Sequence, residues 1–200
     1  MVAGLAIAIL FAACSGSGTT KKRAAPVSTT FATSAAPTST LTTAAPSTTR
    51  PGPAPCTTAG LEVSSESGQG AMGHEDAPIV FRNRGAGKCR LSGYPGVAGL
   101  DDAGHQVTEA RRTAHGFMGG LPLENQTPPI VELAPGETTS ALVEGTSRPP
   151  DTVPSCASYA ALLVTPPDET HSVRVAVALP ACSGLEVHPV VVGRNGGAGA

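Results

Sequence analysis

Two neighbouring stretches decide the fold: Tyr159-Ala-Ala-Leu-Leu-Val164 is apolar throughout, and Val173-Arg-Val-Ala-Val-Ala-Leu179 has valine or leucine at every second position. A period of two is typical of a strand with one buried face, and a short continuous apolar run is typical of a central strand buried on both faces. The Pro-Pro-Asp-Glu-Thr segment between the two stretches predicts a turn. Together they predict an antiparallel hairpin.

Further short strands and turns lie on both sides of this hairpin. The sequence predicts strands where apolar residues alternate or cluster between Gly-rich loops, and hairpin turns where Asp, Pro and Gly cluster; the strands are at Leu61 and Val63, Pro78-Ile-Val-Phe81 and 185–192, and the turns are at 101–104 and 134–137. No stretch has a sustained helical period. About eight or nine strands of this length predict an all-β, immunoglobulin-like β-sandwich, with a small barrel as the alternative.

The predicted domain covers residues 56–192, and a flexible Gly-rich tail is predicted at 193–200. Residues 56–192 contain all fifteen acidic residues of the chain but eight lysines and arginines, a net charge of −7 without the histidines. Four aromatic residues lie in the domain, namely Phe81, Tyr94, Phe117 and Tyr159. Nucleic acid binding requires a basic face and stacking aromatic side chains, so a nucleic-acid partner is excluded.

Four cysteines lie in this domain, and an even number in an exported chain predicts two disulfides. Residues equidistant from a hairpin turn lie opposite each other. The midpoint of Cys56 and Cys89 falls in the Gly-rich loop at Met72-Gly73, and that of Cys156 and Cys182 falls at Glu169. We therefore predict the pairs Cys56–Cys89 and Cys156–Cys182; the two crossed pairings remain as alternatives. The cysteines lack metal-binding spacing, so no zinc site is expected.

Residues 14–55 have a different composition. Of the 41 residues 15–55, 31 are Ser, Thr, Pro or Ala, and none is acidic. Such a segment has too little apolar surface to offset the entropy lost on ordering, so it predicts a disordered tether, either a plain spacer or an O-glycosylated stalk.

The first 14 residues predict a lipoprotein signal. Residues 2–13 are an apolar run too short to span a bilayer, and Ala12 and Ala13 precede Cys14. Residues 1–13 are therefore predicted to be a signal peptide, and Cys14 is the predicted site of lipidation. The run lacks a preceding basic residue, which a start codon assigned too late would explain. The predicted location is the extracytoplasmic face of the cell membrane, with the lipid as anchor.

Several short motifs of the domain together carry a resemblance. They are Cys89-Arg-Leu-Ser-Gly-Tyr-Pro-Gly96, the Asp-Asp-Ala-Gly turn at 101–104, Leu133-Ala-Pro-Gly136, Leu163-Val-Thr-Pro-Pro167 and Cys182-Ser-Gly184. The region 56–192 resembles the actinobacterial domain of unknown function 4232. The resemblance implies an extracytoplasmic, often lipid-anchored β-domain, and it implies no activity.

Candidate chemical groups are scattered in the sequence. His74-Glu75-Asp76 places three ligand types together, but their position beside a Gly-rich loop favours a solvated turn. The sequence has no catalytic serine or zinc-binding motif, and Asp101-Asp102 is read as part of a turn; the remaining histidines, His105, His115, His171 and His188, occur singly. We therefore expect no catalytic residue, no cofactor and no metal site.

The expected function is a non-enzymatic binding or adaptor module that recognises a protein or glycan of the cell envelope. The alternatives are a structural envelope lipoprotein and, less favoured, an enzyme whose site is built from loops. An apolar concave patch at Tyr94 or in the irregular segment 116–129 would favour the binding module.

Overall fold

The computed structural model of the protein describes residues 52–149, 151 and 154–197. The predicted signal peptide, Cys14 and nearly all of the predicted tether lie outside the described residues. None of the described residues belongs to a helix of the length and apolarity that a membrane span requires.

The described chain is almost entirely β-structure, with one 3-10 turn at Thr58–Gly60. Nine strands have four or more residues, in agreement with the predicted number; four others have two residues each. In chain order the strands are β1 (Leu61–Ser65), β2 (Gly70–Ala71), β3 (His74–Asn83), β4 (Cys89–Ser92), β5 (Gly96–Leu100), β6 (Gln106–Glu109), β7 (Arg111–Arg112), β8 (Ile130–Leu133), β9 (Thr138–Thr146), β10 (Ser158–Thr165), β11 (Val173–Pro180), β12 (Glu186–Val187) and β13 (Val191–Val192).

The strands form three separate sheets. This agrees with the predicted all-β sandwich and differs from the small barrel that the sequence left as the alternative. The largest sheet has the order β1-β3-β9-β12-β7, with β2 paired to β3 and β13 paired to β9. A four-stranded sheet has the order β11-β10-β5-β6, and β4 pairs with β8. Buried residues of the two larger sheets, among them Phe81, Val143, Leu162 and Leu179, form one core.

The apolar stretches 159–164 and 173–179 lie in β10 and β11, which form the predicted antiparallel hairpin. β10 lies between β11 and β5, and Tyr159, Leu162 and Val164 are buried in it. In β11 the side chains alternate between solvent and interior from Val173 to Leu179. The prediction of a central strand beside an amphipathic one is confirmed.

The structure joins Cys156 to Cys182 and Cys56 to Cys89, the pairing that the sequence predicts. Ser158 lies opposite Pro180 in the β10–β11 ladder, so Cys156 and Cys182 face each other two residues further out, with Cα atoms 4.9 Å apart. The first bridge differs from the expected geometry. Cys89 begins β4, so this bridge ties the segment before β1 to the small β4–β8 sheet rather than to β3.

Three predicted features differ in the structure. The turn 134–137 joins β8 to β9, which belong to different sheets, so it is not a hairpin turn. The predicted last strand 185–192 consists of two short strands, β12 and β13, separated by His188, Pro189 and Val190. The predicted flexible tail is described for residues 193–197, where Gly196 is buried and its amide donates to the Ser140 hydroxyl while Arg194 and Asn195 are exposed; residues 198–200 lie outside the described residues.

The outer face of the largest sheet is covered as well as its inner face. Residues 139–145 of β9 are all buried, since irregular segments lie against the side that faces away from the core. A Cβ added at Gly119 or Gly196 would overlap Leu142, which shows how closely both segments approach this side chain. The even-numbered residues of β9 therefore lie under a second, loop-built layer.

Candidate functional site

The loop-built layer covers a buried carboxylate. Glu144 lies in β9 opposite Asp76 of β3 and Glu186 of β12, and it is 4% exposed. Residues that lie directly opposite each other in antiparallel strands share a face of the sheet, so three carboxylates occupy one side. A buried carboxylate needs several hydrogen-bond donors to offset the loss of water.

Four donors surround Glu144. The Phe117 amide donates to Oε1 at 3.2 Å and the Met118 amide to Oε2 at 3.0 Å. His74 Nδ1 lies 2.7 Å from Oε1, and His188 Nε2 lies 3.3 Å from Oε2. Glu144 of β9 therefore holds the segment 116–118 through two backbone amides, and its other two partners are imidazole rings from β3 and from the residue after β12.

The electrostatics of the Glu144 carboxyl follow from these contacts. Burial alone would raise its pKa, but hydrogen bonds from the Met118 amide, His188 and His74 outweigh burial and hold the pKa below its usual value. Asp76 behaves in the opposite way, because burial and the nearby Glu144 charge raise its pKa despite a hydrogen bond from the Gln69 amide. The structure thus favours an ionised Glu144.

His188 is completely buried behind Glu144. Its Nδ1 lies 3.1 Å from both the hydroxyl and the carbonyl oxygen of Thr113, so the ring connects Glu144 to the strand edge at β7. A Cβ on Gly116 would overlap both the His188 ring and the Glu144 carboxylate. Glycine is therefore required at 116 for the loop to approach the pair.

His74 lies at the surface end of the same network. Its ring stacks on Phe117 with centroids 4.2 Å apart and an interplanar angle of 19°. The Phe117 side chain is 52% exposed although its backbone is held by Glu144. In the neutral ring, Nδ1–H donates a hydrogen bond to the Glu144 carboxylate and Nε2 is left as an acceptor.

A cleft of about 260 Å³ opens beside the stacked rings. Its lining combines the Phe117 ring with polar side chains, namely those of His74, Glu144, Thr146, Ser183 and Glu186. The Thr146 and Ser183 hydroxyls lie 2.8 Å apart. Ser183 follows Cys182, so the Cys156–Cys182 bridge fixes this side of the cleft.

Two other concave regions are more polar. A groove of about 690 Å³ is lined by charged side chains such as Glu62, Arg82, Glu132, Glu137 and Arg194. The groove of about 390 Å³ at Tyr94 is also mostly polar. Of the two regions that the sequence singled out, the segment 116–129 contributes the half-exposed Phe117 ring to a cleft that is otherwise lined mostly by polar side chains.

Two histidines lie in surroundings that differ from those predicted from the sequence. His74-Glu75-Asp76 is not a solvated turn but the start of β3, and His74 and His188 are not isolated, since both converge on Glu144. The other three histidines stay apart from this cluster: His105 lies in the 101–105 turn, His115 binds the Leu121 carbonyl, and His171 lies in the β10–β11 loop. Asp101 is part of a turn, as predicted.

Glu144 was missed because β9 is not among the strands that the sequence patterns singled out. Its signal is a single acidic residue inside the apolar run Ala141-Leu-Val143 and Gly145. Within the described residues, no group of three or more His, Cys, Asp or Glu side chains is arranged to hold a metal ion.

A family model described as "Domain of unknown function (DUF4232)" matches residues 56–193. No curated protein and no solved structure matches the chain.

Proposed function

The chain belongs to the DUF4232 family of domains of unknown function, and on this premise we propose that it is a lipid-anchored, extracytoplasmic binding module without enzymatic activity. Its binding site is the cleft beside His74 and Phe117. Its partner is a protein or glycan of the cell envelope.

The observation that carries this proposal is the half-exposed Phe117 on a rigid support. An aromatic side chain in an irregular segment normally loses entropy when it binds, which weakens binding. Here the backbone amides of Phe117 and Met118 are already held by Glu144, and the Phe117 ring already rests on His74. Pre-organised aromatic side chains with a few polar neighbours are typical of binding sites.

The anchoring half of the proposal rests on the sequence. Cys14 follows a short apolar run with Ala12 and Ala13 immediately before the cysteine, and a segment of Ser, Thr, Pro and Ala separates it from the domain. If that segment is a flexible coil of about 40 residues, its reach is roughly 35 Å, enough to hold the domain away from the headgroups.

The hydrogen-bond partners of the polar side chains in the cleft favour a module without enzymatic activity. In an enzyme, a base within a cleft normally has a nucleophile or a reacting group within hydrogen-bond distance. The Ser183 hydroxyl instead lies beside Thr146, and Glu144 is engaged by backbone amides. A structural envelope lipoprotein remains the alternative, and it predicts no preference for the cleft.

Site-specific photo-crosslinking in intact cells tests the proposal. A photoreactive amino acid replaces Phe117 in one variant and Val107 in a control, since Val107 is also about half exposed but lies on β6 of the other sheet. We expect capture of one envelope component from position 117 and not from position 107. Equal capture from both positions, or capture from neither, would contradict a binding site at the cleft.

A further inference from the structure

We propose that the cleft beside Phe117 binds one uncharged, hydroxyl-rich six-membered ring, such as a neutral pyranose unit of an envelope glycan. This inference rests on the proposed function, because it names the ligand class for the same cleft. It follows from the size of the cleft, the charge of its lining and the kinds of hydrogen-bonding groups that it presents.

Size favours a single ring. The cleft of about 260 Å³ lies just below the usual range for small-molecule sites, roughly 300–1,000 Å³. An extended peptide bound by a sheet needs a free strand edge with unpaired backbone groups. β9 is paired to β3 along its whole length and to β12 at Val143 and Glu144, so in the described ladders only Gly145 and Thr146 have an unpaired side at this cleft. Two residues are too short an edge for a peptide to bind as an added strand.

Charge argues against ionic ligands. The described lining contains no lysine or arginine, and the neighbouring Arg111 is already paired with Glu186. An anion such as a phosphate or an acidic sugar would therefore face the Glu144 carboxylate without a free cation to bind it. A cation gains little, because both carboxylates already have partners: Glu186 is bound by Arg111, and Glu144 by the imidazoles and two amides. An uncharged ligand avoids both costs.

The remaining groups suit a polyol. The Glu186 carboxylate, and Nε2 of the neutral His74 ring, can accept hydrogen bonds from hydroxyl groups, while the Thr146 and Ser183 hydroxyls act as donors or acceptors. The C–H face of a pyranose is apolar and flat enough to pack on an exposed aromatic ring such as Phe117. The cleft thus combines an apolar platform with hydrogen-bonding groups around it.

Titration of the isotope-labelled protein with monosaccharides of similar size and different charge tests the ligand class. The neutral probes are methyl glucoside, methyl mannoside and methyl galactoside; the charged probes are glucuronic acid and glucosamine, and trialanine represents peptides. We expect saturable shifts of the Phe117 ring and His74 imidazole signals with at least one neutral probe, at a Kd of roughly 1 mM for so few atoms. Glucuronic acid should bind more weakly, and glucosamine no more tightly.

Substitutions at Phe117 test the platform. Phe117→Ala should weaken binding about tenfold, whereas Phe117→Tyr should retain it because a flat ring is kept. Val107→Ala, an exposed position on the other sheet, should have no effect.

The ligand class is overturned if no neutral probe shifts the Phe117 and His74 signals, or if glucuronic acid, glucosamine or trialanine binds more tightly than every neutral probe. It is also overturned if Phe117→Ala binds as well as the wild type. Each of these results leaves the photo-crosslinking result at position 117 intact. The two proposals therefore fail separately.

Discussion

Glu144 and His188 face each other inside the loop-built layer, with Oε2 of Glu144 3.3 Å from Nε2 of His188 and neither side chain more than 5% exposed. They lie under the segment 116–118, whose amides at Phe117 and Met118 complete the carboxylate's shell. A buried carboxylate without these donors would be strongly destabilising. The Glu144 side chain therefore connects the segment 116–118 and the two histidines to β9 by hydrogen bonds.

Replacement of Glu144 should destabilise the domain. Glu144→Gln removes the charge and turns an amide N–H₂ toward groups that themselves donate, so we expect a loss of about 3 kcal/mol in the free energy of unfolding. Urea denaturation of the isolated domain measures it. Glu186→Gln is the matched control, because this neighbour on the same face is more exposed and should cost less than about 1 kcal/mol. Equal losses would show that burial of Glu144 carries no special cost.

The Glu144 carboxyl also predicts a pH dependence. Its pKa in the folded protein lies below the ordinary value of 4.5, so between the two pKa values the unfolded chain binds more protons. Its stabilising contribution is therefore present above about pH 4.5 and is lost as the pH falls through the folded-state pKa. The stability difference between wild type and Glu144→Gln should shrink as the pH decreases from about 6 to about 3.

Asp76 supplies a control of opposite sign. Burial raises its pKa above 3.8, so the folded protein binds more protons in that window and the contribution of Asp76 becomes more favourable as the pH falls. The wild type should gain stability relative to Asp76→Asn as the pH decreases through the raised pKa. If both variants show the same sign, the assignment of the two carboxyls is wrong.

The register of the hairpins could be predicted from the sequence, but the polar cluster could not. Period-two spacing and turn residues are local signals, and they fix which residues of β10 and β11 pair. Residues just beyond the end of the paired strands keep the same spacing, so Cys156 lies opposite Cys182. His74 and Glu144 are 70 positions apart, and their contact depends on which strands become neighbours. The covering of the outer sheet face by the segment after β7 and by the tail has no local signal either, so the tail was predicted to be flexible.

The disulfide pairing has a direct chemical test. Non-reducing peptide mapping should recover Cys56 linked to Cys89 and Cys156 linked to Cys182. Replacement of Cys156 and Cys182 together by serine should cost roughly 3 kcal/mol and loosen the Ser183 side of the cleft. A peptide that links Cys56 to Cys156 or Cys182 would overturn the hairpin geometry.

Cys14 should determine the membrane association. Cys14→Ser removes the thiol that carries the proposed lipid, so we expect the protein to leave the membrane fraction and to lose incorporation of a labelled fatty acid. The double replacement Cys56→Ser and Cys89→Ser is the control, since it removes a disulfide of the domain and should leave the lipid in place. If the Cys14→Ser protein stays in the membrane fraction to the same extent, the anchor lies elsewhere.

Amide hydrogen exchange tests most directly the central claim that Glu144 holds the segment 116–118 in place and thereby presents Phe117. The Phe117 and Met118 amides lie in an irregular segment, yet both donate to the buried carboxylate. We predict slow exchange at these two amides in the wild type and much faster exchange in Glu144→Gln. The Asn125 amide of the same segment, which donates to the Pro122 carbonyl, should exchange at an unchanged rate. Fast exchange of both amides in the wild type, or no change in the variant, would contradict the account.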